Sequence, residues 1–258
     1  MALPVVDFIH VEDYPARTVD LPEAMSTGDV TVRDLNRDPD SGAQSLVVTF
    51  AAGGEVAAGY WSCDLEFLML EGSLTMGSAS VERYGYQFVP AGVATGRTVV
   101  GDAGATALVF TSGPVLLTAS AHDEPGAPRH RLIGPVHLAD VPWEQPRTAG
   151  FPAGAGRKTL REDTETGGGF WVLGVLPHWT SAMTEWHAFT EENYILEGGI
   201  ETAEGLMEVG SYLSHAAGPA SVHGPMRSRR GSLLITRAQG PLETTYAPCP
   251  LPLPGVWR

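Results

Sequence analysis

Cysteine, basic charge and long apolar runs are all scarce in this chain, and each shortage excludes a class of protein. Cys63 and Cys249 are the two cysteines among 258 residues, too few for a disulfide framework or a cysteine-ligated zinc site and compatible with a reducing compartment. Sixteen basic residues face thirty acidic ones, a formal charge of −14. That charge repels phosphate backbones, and the short basic cluster from Arg227 to Arg230 does not reverse it, so neither nucleic acid nor an anionic membrane is an expected partner. No apolar run approaches the roughly 18 residues needed to cross a bilayer. The opening MALPVVDFIHVEDYP has no basic leader and is interrupted by Asp7, Glu12 and Asp13, unlike a secretory signal. The expectation is a soluble, cytoplasmic protein. Helical periodicity is also missing, apart from a turn of helix expected at Leu21–Ala24 or in the linker described below.

What the chain does have is turn formers: 31 glycines and 20 prolines, spread through a sequence that is 43% hydrophobic. Short elements separated by many turns, with enough apolar residues for a core, predict an all-β fold. The segments Ser45–Phe50, Phe67–Leu70, Gln87–Val89 and Thr106–Thr111 read as strands, with counterparts in the second half. The halves also repeat. IHVEDYP from Ile9 is echoed by VHLADVP from Val136, LNRDPDSG from Leu35 by LREDTETG from Leu160, and EFLMLEG from Glu66 by ENYILEG from Glu192. Gly85 matches Gly210, and GATALVFTSGP from Gly104 matches GSLLITRAQGP from Gly231, so the spacing stays at 125–127 residues throughout. A duplicated domain is therefore expected, with residues 1–118 as the first copy, 119–135 as a linker and 136–258 as the second. The proline-rich tail CPLPLPGVWR is expected to lie over a surface or a neighbouring subunit.

The chemistry concentrates in EWHAFTEENYILEGG, from Glu185 to Gly199. If this stretch is extended, Glu185, His187 and Glu191 share a face, and an imidazole with two carboxylates on one face is a candidate metal site. The alternative is an amphipathic edge strand with solvated acids. His10 and His137 recur at equivalent positions and are expected to cap or pack a turn. His178 is expected at a strand end on the surface, and Glu192 and Glu197 at a rim. Trp171, Trp179 and Trp186 are expected to pack, the last facing away from the ligand row.

The two halves resemble the paired β-barrels of a bicupin. Pro90-Ala91-Gly92-Val93-Ala94-Thr95 stands where cupins place PxGxxH, and counting back from Gly198 by the first cupin motif puts Glu191, His187 and Glu185 at its ligand positions. The resemblance implies two tandem cupin-type β-barrels and a divalent metal in the second. Its ligands would be His187, Glu191 and His223, with Glu185 as a fourth ligand or a general base. Iron leads, with manganese, nickel or zinc as alternatives. The second motif, GSYLSHAAGPASVHGP, departs from the pattern: the strict count falls on Ser221, so two extra residues must be absorbed to reach His223. His215 is the rival. His223, which follows Gly218-Pro219, is favoured, and His215 is expected to be dispensable for the metal.

In the first half the same count gives Gly59, Trp61, Leu65 and Thr95, none of them a suitable ligand. That half is expected to hold no metal and to serve packing or homodimerisation, or else to hold a ligand in an apolar pocket lined by Trp61 and Cys63. The resemblance implies a metal-dependent enzyme acting on a small molecule, an Fe(II)-type oxygenase first. A non-redox isomerase, cyclase or lyase, and a non-catalytic binding or sensing protein, are the alternatives.

Overall fold

Alternating burial along short segments produces strands almost everywhere in the computed structural model, which describes residues 3–19, 26–241 and 243–249. The helical content among them is four single 3₁₀ turns, and no helix is long and apolar enough to cross a membrane. The turn of helix expected at Leu21–Ala24 and the tail beyond Cys249 lie outside the described residues. The four strands read from the first half are present, two of them much longer than expected: Gln44–Phe50, Leu65–Met76, Gly85–Val89 and Thr98–Thr111.

The chain forms two compact units. The first comprises Tyr14–Asp140; the second takes the residues up to Asp13 together with the chain from Val141 onward. This division differs from the expected boundaries at both ends of the first copy. Val6–His10 pairs antiparallel with Ser211–His215, as an outer strand of the second unit. Ile133–His137 takes the equivalent position beside Gly85–Val89 in the first. Sequence similarity groups each strand with the repeat that follows it, whereas backbone hydrogen bonding assigns it to the other unit. The two histidines do tie down turns. His10 Nε2 lies 2.8 Å from the Val209 carbonyl, and His137 Nε2 lies 3.0 Å from that of Arg83.

Each unit is described by one main sheet, and the two share a strand order. In the first it runs Ile133–His137, Gly85–Val89, Leu65–Met76, Thr98–Thr111, Gln44–Phe50, Val30–Arg37 and Arg17–Val19. In the second it runs Val6–His10, Ser211–His215, Glu191–Glu201, Ser232–Ala238, Gly169–Val175 and Ala155–Glu162. Neither path closes into a ring. The long central strand bulges at matched places, between Met69 and Glu71 opposite Ala107 and Thr106 in one unit and between Ile195 and Glu197 opposite Leu234 and Leu233 in the other. Directly after each bulge comes a glycine of positive φ, Gly72 at 68° and Gly198 at 71°. A Cβ at either would run into the carbonyl of Gly104 or Gly231, which is why the repeated Glu-Gly pair ends in glycine.

The buried side of the first sheet is filled by Phe67, Met69, Leu74, Val81 and Val100, and a second cluster joins Val30, Val32, Leu46 and Val48. The second unit has a corresponding cluster of Val175, Trp179, Ile195, Ile200, Met207, Leu213 and Leu234. A buried tyrosine–glutamate bond recurs as well. Tyr86 donates to Glu66 and Tyr212 to Glu192, both at 2.7 Å. Glu192, expected at a rim, is thus 1% exposed, and Arg237 completes its pairing at 2.5 Å.

Candidate metal centre

The stretch from Glu185 to Glu191 is not one extended run. Met183–His187 is a strand, Ala188–Thr190 turns, and Glu191 opens the next strand, Glu191–Glu201. The shared face nevertheless results, because the turn brings the start of the second strand back beside the end of the first: His187 Nε2 lies 2.9 Å from Glu191 Oε2. Opposite Glu191 in register is His215, the last residue of Ser211–His215. The segment that follows folds back so that Glu185 and His223 form an antiparallel bridge, with backbone N–H···O distances of 2.9 and 3.0 Å, and Gly218 N–H donates to the His187 carbonyl at 2.8 Å. His223 Nε2 is thereby set 3.4 Å from Glu185 Oε1 and 3.9 Å from Glu191 Oε2.

The first unit shows how the irregular motif is accommodated. There the equivalent bridge joins Gly59 to Thr95, the residues at the positions of Glu185 and His223. The two additional residues of the second motif are absorbed between Ala216 and Val222, where Pro219–Ser221 makes a 3₁₀ turn behind Gly218, whose φ is 94°. His215 and His223 need not be alternatives. Their rings stack at 3.9 Å between centroids, and the His187 ring lies 5.1 Å from that of His223. One atom each of Glu185, His187 and His223 lies within 4.8 Å of the others, and so it is for Glu191, His215 and His223.

The residues around the cluster fix which nitrogens face it. His223 Nδ1 donates to the Ser221 carbonyl at 3.2 Å, and His187 Nδ1 bonds the Thr244 hydroxyl at 3.0 Å. In a neutral His223 ring, Nε2 is then a lone pair aimed at carboxylate oxygens, a repulsive arrangement unless a cation lies between them. His187 Nε2, though close to Glu191, is not aligned for a hydrogen bond, and it is buried with no hydrogen-bond partner; the same is true of His215 Nδ1. Ligands about 2.0–2.2 Å from a common ion stand about 3–4 Å from one another, which matches the separations of 2.9, 3.4 and 3.9 Å. The donor set therefore fits a divalent transition metal with mixed imidazole and carboxylate ligands.

Charge and burial pull these groups in different directions. Burial would lower the His187 pKa, but the Glu191 and then Glu185 carboxylates outweigh it and hold the imidazole above its ordinary value. Burial would raise the Glu191 pKa, and His187, His223 and His215 instead hold it well below the usual carboxylate range. His215 is pushed down to about 4, first by burial and then by the neighbouring His223. Tyr246 stands opposite Glu185 in the pairing of Met183–His187 with Thr244–Pro248. Burial, then the Glu185 carboxylate, pushes its phenol far up, and the hydroxyl meets no partner at good hydrogen-bond geometry. Tyr246 and Thr244 gave no signal in the sequence, because only strand pairing brings residues so far along the chain to Glu185 and His187.

A cavity of about 600 Å³, lined entirely by the second unit, includes all five cluster residues in its wall. Phe8, Phe151, Trp171, Trp179, Ile195 and Leu234 supply apolar surface, so two of the tryptophans expected only to pack also line space. The same register positions differ between the units. Where Phe67 faces Val109 in the first, Asn193 faces Thr236 in the second, and the Thr236 hydroxyl bonds Asn193 Oδ1 at 2.9 Å. At the first unit's counterparts of the ligand positions stand Gly59, Trp61, Leu65 and Thr95, and none carries a carboxylate or an imidazole.

Among solved structures, the chain is similar to a candidate dioxygenase from Nostoc punctiforme, at 24% identity and a TM-score of 0.86 over 95% of this chain and 87% of that one. It is also similar to oxalate decarboxylase from Lactobacillus farciminis, at 10% identity and a TM-score of 0.60 over 92% and 87%. Vicilin from Corylus avellana (hazelnut) aligns at 11% identity and a TM-score of 0.57 over 93% and 87%. At these identities the likeness is one of fold, and the fold is cupin-type. No curated protein matches the sequence. A family profile described as a domain of unknown function, DUF4437, matches residues 7–245. Since that stretch takes in both repeats and all five residues of the histidine–carboxylate cluster, the chain belongs to the DUF4437 family.

Proposed function

We propose that the protein is a bicupin whose second barrel holds one divalent metal ion and acts on a small organic molecule, with iron(II)-dependent oxygenation as the reaction class. The first barrel is a copy that has lost its ligands. The observation that carries this reading is the convergence of His187, His223 and Glu191 in a cavity wall, with the His187 Nε2 atom buried beside Glu191 but without an aligned hydrogen bond. Two histidines and one carboxylate leave coordination positions open for substrate and dioxygen. A bound ion would supply Lewis acidity and, as iron, redox chemistry with dioxygen. The chain's own residues orient and exclude: Thr244 fixes the His187 ring, Ser221 fixes that of His223, and the apolar wall keeps bulk water from the reacting groups. His215, with its free nitrogen, is a further ligand. The structurally similar proteins include a candidate dioxygenase and oxalate decarboxylases, which agrees with a metal enzyme. Nucleic acid and membranes are not partners in this reading, and a homodimer is compatible with it.

A second reading, non-redox proton transfer as in an isomerase, cyclase or lyase, is favoured by one feature. Glu185 faces Tyr246 across the strand pair, which sets a carboxylate base beside a phenol that stays protonated.

The test is elemental analysis of protein purified without oxygen. About one equivalent of transition metal per chain is expected, lost in His187→Ala and His223→Ala and reduced at least ten-fold in affinity in His215→Ala, with an unchanged circular dichroism spectrum. Two tightly held equivalents, or full occupancy in His187→Ala, would overturn the assignment. Oxygen consumption that requires the metal separates the first reading from the second.

A further inference from the structure

The metal cluster does not use the most unusual cation in the cavity wall. Arg157 lies in Ala155–Glu162 with only 14% of its side chain exposed, its guanidinium 4.2 Å above the Trp171 ring. Nε donates to the Thr159 hydroxyl at 3.0 Å. Among the described residues its other polar contact is a long one, 3.5 Å from Nη2 to Glu162 Oε1. The nearby acids are engaged elsewhere: Arg147 pairs with both Glu144 and Glu162, and Glu144 also accepts from Thr159. Arg147 is half exposed, whereas Arg157 keeps most of its five donors without a close acceptor among the described residues. Burial, and then repulsion by Arg147, lowers its pKa, so its charge is poorly compensated where it stands. The first unit shows what the scaffold itself requires here. At the same register positions it has Val32 and Leu46, both packed in its core. In the unit that bears this cavity, a cation on an aromatic ring stands in the place of the apolar pair.

We infer that Arg157, stacked on Trp171, is an anion anchor, and that the small molecule received by the cavity carries a carboxylate at one end of an apolar or aromatic body. This rests on the cavity being the substrate site proposed above, but it does not require the metal. A guanidinium with its plane fixed by an aromatic ring offers parallel N–H donors to a carboxylate. The walls formed by Phe8, Phe151 and Trp179 suit the apolar remainder.

The experiment measures binding of phenylacetate, benzoate and hexanoate, each against its neutral amide, by ligand-observed NMR on the full-length protein with metal content determined in parallel. At least one acid should bind about ten-fold or more tightly than its amide, as expected for a charge-assisted hydrogen bond. Arg157→Met, which keeps the apolar stem on Trp171, should bring the acids to the level of the amides and leave the amides unchanged. Arg157→Lys should recover part of the preference. His187→Ala should keep it, which separates anchoring by the arginine from coordination by a metal, and retention there would support the anchor even if the metal reading failed. A lack of acid preference throughout the series, or a preference that persists in Arg157→Met, would overturn the proposal. A merely structural Arg157 would be shown by a lower melting temperature with the acid preference intact.

Discussion

At the scale of single residues, a bound metal would compete with protons for the same atoms. The elevated His187 pKa means that binding a metal at Nε2 displaces a proton until the pH exceeds that pKa, so metal affinity should rise with pH through this range. His215, neutral above about pH 4, should add no such dependence. Without metal the signs can be worked out group by group. The stabilisation from His187 is fully present below its unfolded value of about 6.5 and is lost as pH rises through the folded value. The depressed His215 acts in the opposite sense, costing stability as pH falls from about 6.5 towards its folded value. The depressed Glu191 contributes above about pH 4.3 and is lost as pH falls through its folded value. The melting temperature of chelator-treated protein should therefore peak near pH 6.5, and His187→Ala should flatten the alkaline side. An unchanged alkaline slope in that variant, followed by thermal denaturation, would count against the charged pair.

At the scale of elements, the segment between Ser211–His215 and Met226–Ser228 decides whether His223 reaches the cluster. Gly224 has a φ of 90°, and a Cβ there would lie 2.6 Å from the Met183 carbonyl, next to the bridge between Glu185 and His223. Gly224→Ala should cost about 1–3 kcal/mol from the backbone conformation alone and weaken metal retention, because the bridge and the imidazole move together. Dialysis followed by metal analysis, alongside a denaturant titration, checks both. Strand positions were legible in the sequence because apolar alternation and glycine turns are local signals. The length of Leu65–Met76 and Thr98–Thr111 was not, since the strands continue through bulges and polar residues that only their neighbours' hydrogen bonds sustain. Glu192 misled for a similar reason: its partners Tyr212 and Arg237 are remote in sequence, and a glutamate without visible partners reads as solvated.

At the scale of the whole molecule, removal of the metal should be felt in one unit. Hydrogen–deuterium exchange on chelator-treated protein should show loss of protection after Val141 and also in Val6–His10, which pairs with Ser211–His215, but not in Ile133–His137, which pairs with Gly85–Val89. A response of Ile133–His137 without Val6–His10 would contradict the division into units. Duplication, the all-β character and the concentration of candidate ligands in the second half were determined by the sequence alone, because repeats at near-constant spacing and the EWHAFTE pattern are written in consecutive residues. Tertiary structure alone decided that His215 stands beside His223 in one cluster, that Thr244 and Tyr246 pair with the strand carrying Glu185 and His187, and that Arg157 faces a cavity where the first unit packs valine and leucine. Each of these depends on which strands pair and in what register, and pairing is set by the summed burial and backbone hydrogen bonding of residues far apart along the chain.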